Sequence, residues 1–197
     1  MIKKDIVDYI VKCKKCQQVK VKHQHPTGLL RPVPIPEWKW EDIYVDFIKG
    51  LTMIAKQHDS IMVVVDNLTK STHFVPIKST HKMEYIAKTF MKEIFRLHGF
   101  PMAISYDRDT KFTSNLWKGL LRDLGTQINF SMTYHPITYD QTKRVNQVLE
   151  DMLRMYVMDK PSRWEEYLHL VEFSYKNGHQ ASLGMSSFED LYMVGSA

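Results

Sequence analysis

Cysteine is nearly absent: Cys13 and Cys16 are the only two in 197 residues, which excludes a disulfide framework. A C-x-x-C pair of this kind is more often half of a zinc site, and it points to a reducing compartment. No apolar run approaches the roughly 18–20 residues needed to span a bilayer, so no membrane partner is expected. The opening Met-Ile-Lys-Lys-Asp has no apolar stretch of a secretory leader, and an intracellular location, nucleus or cytoplasm, is expected. Prolines number eight, and four of them (Pro26, Pro32, Pro34 and Pro36) fall between His25 and Glu37. Proline at that density favours an extended, semi-rigid spacer, so residues 25–37 read as the boundary between two domains.

What is present fits one substantial core with a small appendage: 44% of the residues are apolar. The net charge of +5 is compatible with a phosphate-rich partner without requiring one. Residues 1–24 read as a basic helix with Ile2, Ile6, Tyr9, Ile10 and Cys13 on one side. His23 and His25 follow the cysteines closely enough to complete a Cys-Cys-His-His set, but the spacing matches no common finger. A structural zinc site needs four ligands, so free thiols are the expectation and zinc is not expected.

From residue 38 the pattern changes. Strands are predicted over residues 43–48, 60–66 and 72–78, with Asp66-Asn-Leu-Thr-Lys turning between the last two. Short connections suggest an antiparallel meander. A helix over residues 82–98 should bury Met83, Ile86, Ala87, Phe90, Ile94 and Leu97, with Gly99 as its stop. A short strand over residues 102–106 leads to Asp107. Thr113 or Ser114 then caps a helix with Leu116, Trp117, Leu120, Leu121 and Leu124 inward and Gly125 at its end. After a brief strand over residues 128–130 come a long helix ending near residue 159 and a last one over residues 164–175. Pattern alone implies an α/β protein with a mixed sheet.

The long helix carries the unusual chemistry. Val145, Val148, Leu149, Met152, Leu153 and Tyr156 form one face. Asp140 or Thr142 is the expected cap after a non-helical His-Pro turn, which would place Lys143 and Arg144 in the first turn. Cations there oppose the helix dipole at a cost of about 0.3–1 kcal/mol each, and broken local rules tend to mark functional or degraded sites. Asp46 is a second oddity, an aspartate inside a strand between Val45 and Phe47. Alternation turns it away from both neighbours. Asp66 reads as a turn residue rather than a ligand.

The run from His135 to Asn146 resembles the His-Pro-Gln-Thr-Asp-Gly-Gln-(Ser/Thr)-Glu-Arg-x-Asn segment of integrases from gypsy-class long-terminal-repeat retrotransposons. Tyr-Asp-Arg-Asp-Thr-Lys-Phe around Asp107, Arg96-Leu-His-Gly-Phe-Pro101, the tail from His179 and the Cys13/Cys16 pair are similar to family segments in the same order. The resemblance implies a ribonuclease-H-like mixed sheet, three antiparallel strands plus two further strands with helices on both faces. It also implies a preceding short helical remnant of a zinc-binding domain, and truncation at both ends. The division implied is residues 1–24 for the remnant, 25–37 for the linker and 38–197 for the catalytic core.

In function, the resemblance implies DNA integration by strand transfer dependent on Mg2+ or Mn2+, with retroelement ends and target DNA as partners and a homodimer left open. Asp46 and Asp107 match the first two metal-binding carboxylates, and Asp109 is the rival to Asp107. Lys143 stands thirty-six positions after Asp107, where the family has its catalytic Glu. Of the nearby acids, Glu150 is roughly 10 Å too far along the helix, which leaves Asp140 as the only substitute. The expected outcome is impaired metal binding and a dead enzyme. The alternative is a non-catalytic nucleic-acid-binding or dimerisation module that keeps the fold, with Lys111, His135, Gln141 and Arg144 meeting phosphates.

Overall fold

The computed structural model describes residues 2–19, 36–53, 58–106, 112, 114–130, 136–158 and 160–192, with backbone alone for residues 2, 3, 17–19, 130 and 136–143. The run Ser-Ile-Met-Val-Val-Val-Asp has no polar alternation because β2 (Ser60–Asp66) is buried along its whole length. It lies between β1 (Asp42–Ile48) and β3 (Thr72–Ile77), antiparallel to both. Asp66 closes the β2–β3 turn by accepting from Thr69 N at 3.0 Å and Thr69 Oγ1 at 2.6 Å, so its reading as a turn residue holds. β4 (Ala103–Tyr106) and β5 (Gln127–Phe130) add in parallel beside β1, which gives the order β3-β2-β1-β4-β5. Pro76 is tolerated because β3 is an edge strand.

Alternation along the strands sorts side chains to two cores. On one face Val45, Met62, Val64 and Ile104 pack under α3 (Met83–Phe90), a π-turn (Met91–Phe95), α4 (Arg96–His98) and α5 (Asn115–Asp123). On the other, Ile48, Ile61, Val63 and Val65 meet α6 (Pro136–Val157) and α7 (Trp164–Asn177). Full burial of each large apolar side chain contributes on the order of 1.5–3 kcal/mol, so the two layers hold the sheet from both sides. Ser114 caps α5, its Oγ accepting from Trp117 N at 3.3 Å, and Gly125 follows with φ +74°. The chain then makes a small hairpin, β6 (His179–Gln180) with β7 (Met185–Ser186), and α8 (Ser187–Tyr192), which the sequence pattern did not disclose.

Several expectations need correction. The N-terminal segment is two helices, α1 (Ile2–Lys12) and α2 (Lys14–Val19), broken at Cys13, and Ile6, Tyr9 and Ile10 are exposed. The π-turn adds a residue to its helix and rotates the buried face, so Phe95 is buried and Leu97 exposed. Leu116 and Tyr156 are exposed as well, and Val157 takes the buried place expected of Tyr156. Met102 lies outside β4, exposed. Most consequentially, α6 starts at Pro136 rather than after Asp140. Proline suits the first helical position because its missing N–H would be unpaired there anyway. Lys143 and Arg144 are therefore the eighth and ninth residues of α6, beyond the reach of the dipole's positive end.

One polar network ties the sheet edge to both helical layers. Glu172 on α7 accepts from Phe74 N of β3 at 3.0 Å and from Lys176 Nζ at 2.6 Å, and meets His73 Nδ1 at 3.2 Å. The other ring nitrogen of His73, Nε2, lies within hydrogen-bond distance of His98 Nε2, 2.9 Å away. Trp40 stacks flat on His98, ring centres 3.7 Å apart. Burial would raise the Glu172 carboxyl, but the His73 N–H and the Lys176 ammonium outweigh it and hold it at about 2. His98 goes down to about 4, first through burial and then through the facing His73 and Lys176.

Candidate active site

Asp46 lies on the α6 face of the sheet, paired in register with Val63. Its direction is set by strand alternation, since Val45 and Phe47 pack into the opposite core. The carboxylate is half-buried: Oδ1 accepts from Phe47 N at 2.8 Å and Oδ2 from Asn146 Nδ2 at 2.7 Å. The negative oxygen fixes which end of the amide faces it, and Asn146 Oδ1 is left buried with no hydrogen-bond partner. Val145, Leu149 and Leu153 hold α6 on this face and so aim Asn146 at Asp46.

Beside Asp46 the described backbone leads toward Asp107. Tyr106, the last residue of β4, pairs with Val45. Phe112 is buried and stacks on both Phe47 and Tyr106, at 4.7 Å in each case. The two flanks of residues 107–111 are thus pinned together next to Phe47. Burial pushes the Tyr106 hydroxyl up to about 12, so it holds its proton at ordinary pH. Asp107, Asp109, Lys111 and His135, and the side chains of Asp140, Gln141 and Lys143, lie outside the described residues. For position 143 the backbone places it three residues, about 4.5 Å along the axis, before Asn146 and on the neighbouring i, i+3 row. Arg144 is exposed.

No family model matches the chain. Among curated proteins it is similar to the Tf2-3 and Tf2-4 transposon polyproteins of Schizosaccharomyces pombe, 33% identical over 196 residues. That alignment takes in 100% of this chain and 15% of each polyprotein. Among solved structures, the simian T-cell lymphotropic virus intasome in complex with PP2A regulatory subunit B56 gamma matches with TM-score 0.68 at 16% identity, over 98% of this chain and 68% of that one. The catalytic core domain of HTLV-2 integrase in complex with magnesium matches with TM-score 0.59 at 14% identity, over 76% and 95%. That of BIV integrase reaches 0.60 at 17% identity, over 77% and 93%.

The chain is similar over its whole length to a segment of transposon polyproteins, and its fold is that of integrase catalytic cores. Its sheet and helices are those of the ribonuclease-H-like integrase catalytic core. Among the described residues there is no cluster of three metal-ligating side chains and no helix long and apolar enough to cross a membrane. At the N-terminus Cys13 and Cys16 are free thiols. The Cys16 backbone N–H and then its thiol lower Cys13, while hydrogen bonding to Cys13 raises Cys16. Sequence reasoning missed Asn146 as a site residue. Its signal was available, a polar residue between Val145 and Leu149 that closes the Arg-x-Asn end of the family segment.

Proposed function

We propose that this integrase core carries the site for divalent-metal-dependent strand transfer on DNA, with Lys143 at the third ligand position, so that the chemistry is lost while nucleic-acid contact is kept. The carrying observation is the 2.7 Å bond from Asn146 to Asp46, which sets one face of α6 against the first carboxylate. Position 143 stands three residues before Asn146, an i, i+3 neighbour on the helix. Asp107 follows directly on Tyr106, whose partner Val45 precedes Asp46, so chain connectivity keeps its Cα within about 3.8 Å of the Cα of Tyr106.

Magnesium and manganese suit hard oxygen donors. Two carboxylates and the buried, unpaired Asn146 amide oxygen fit such an ion in kind; an ammonium at the third position does not. The set as it stands does not fit two-metal transfer, in which both ions need carboxylate bridging. Lys143 instead supplies a cation that offsets the charge of Asp46 and Asp107. Arg144, with Lys111, His135 and Gln141, remains available for phosphates, which position a duplex without reading its sequence. We assign residues 38–197 to the core, 25–37 to a linker and 1–24 to a separate helical segment that carries the Cys13/Cys16 pair.

The test is Lys143→Glu. Three carboxylates without metal repel one another, and Glu deep in α6 gains little from the dipole, so the metal-free variant should melt no higher than the parent. Millimolar magnesium or manganese should then raise its Tm, because only the folded state presents the site, and leave the parent nearly unchanged. Equal metal-induced shifts in both proteins would withdraw this reading. In the parent, salt-dependent duplex binding without metal-dependent nicking is the accompanying expectation. The HTLV-2 core is solved in dimeric and trimeric forms, so the same samples should be checked by light scattering for self-association.

A further inference from the structure

Two thiols that the candidate site does not use meet at the N-terminus. α1 ends where Cys13 N donates to Tyr9 O at 2.9 Å, and α2 restarts at Lys14. Neither proline nor glycine occurs between residues 1 and 19, and lysine is a good helix former. No helix-breaking residue therefore accounts for the interruption at Cys13. What the interruption creates is a sulfur contact. The Cys13 side chain accepts from the backbone N–H and then from the thiol of Cys16, three residues on, and from the Lys15 N–H. Both cysteines are half-exposed, and Lys12, Lys14 and Lys15 beside them are exposed.

We infer that Cys13 and Cys16 form a redox modification site, a dithiol that a small disulfide such as oxidised glutathione converts to an intrachain disulfide. The contact assigns the roles. Donors directed at the Cys13 sulfur favour its thiolate, while the hydrogen bond to Cys13 keeps the proton on Cys16. Cys13 is therefore the attacking sulfur and Cys16 the resolving one. The Cys13 thiolate bonds to one sulfur of the small disulfide, and the other sulfur leaves as a thiolate that takes up a proton. Cys16 then gives its proton to solvent, attacks the Cys13 sulfur of the mixed disulfide and expels the second small thiol. Two electrons pass from the protein pair to the small disulfide, which is reduced to two thiols. The neighbouring lysines favour approach of an anionic disulfide. In a reducing compartment such a bond is transient rather than structural. It would tether the start of α2, which packs against α6, the helix that carries Asn146. Nothing in this inference depends on the chemistry at Asp46.

Cys13 and Cys16 are the only cysteines in the sequence, so the intact mass of the whole chain reports on this pair alone. After incubation with millimolar oxidised glutathione at neutral pH, the protein should lose the mass of two hydrogens and resist a thiol-alkylating agent. It should remain a single chain on a non-reducing gel and regain both thiols with dithiothreitol. Cys16→Ser should stop at one bound glutathione. Cys13→Ser should take up glutathione at least about threefold more slowly than Cys16→Ser, because its remaining thiol is the one that holds its proton. Two glutathiones retained per chain, a disulfide between chains, equal rates in the two serine variants, or stoichiometric zinc on the purified protein that blocks oxidation would each overturn the proposal.

Discussion

His98→Gln tests whether the half-buried imidazole under Trp40 makes stability depend on pH. In the folded chain His98 takes a proton only near pH 4, against an ordinary value of 6.5. The unfolded state therefore binds the extra proton first, and stability falls as pH drops from about 6.5 toward 4. At about 1.4 kcal/mol per tenfold, the full difference corresponds to about 3 kcal/mol. His98 keeps contact with solvent, and screening reduces that to about 1–2 kcal/mol. Gln retains an N–H for His73 Nε2 but has no proton to gain. It also loses the stacking on Trp40, so at neutral pH the variant should be less stable by about 0.5–1.5 kcal/mol. Urea unfolding between about pH 7.5 and about pH 4.5 should then show the parent losing about 1–2 kcal/mol more than the variant. Glu172, held at about 2, loses its contribution below about pH 4.5, common to both proteins. Parallel pH profiles for parent and variant would refute the assignment of this acid sensitivity to His98.

Two further substitutions probe the candidate site. Phe112→Ala removes the ring stacked on Phe47 and Tyr106 and should cost about 3–5 kcal/mol in denaturant unfolding; a loss below about 1 kcal/mol would mean that Phe112 does not pin the flanks of residues 107–111. Asn146→Ala removes a hydrogen bond to a charged acceptor and should cost about 1–3 kcal/mol at neutral pH. Asn146→Asp should cost more, since two carboxylates would then meet; an Asp variant more stable than the Ala variant would contradict the amide orientation.

The sequence by itself determined the elements and their alternation. The continuous apolar run of β2, the aspartate at position 46 inside a strand, and the Val145–Leu149–Leu153 stripe at helical spacing are all local features of the chain. The sequence also determined the chemistry at position 143, because no fold can turn an ammonium into a carboxylate. What only the tertiary structure decided was phase and partnership. Helix α6 begins at Pro136, where a His-Pro pair read locally suggests a turn. Phe95 rather than Leu97 is buried because a π-turn, invisible to a fixed period, shifts the helix face. Asn146 acts on Asp46, one hundred positions away, and His98 lies under Trp40 against His73. Such pairings arise from the parallel insertion of β4 beside β1 and the docking of α6 and α7 across the sheet. They are long-range contacts, and no short window of residues carries them.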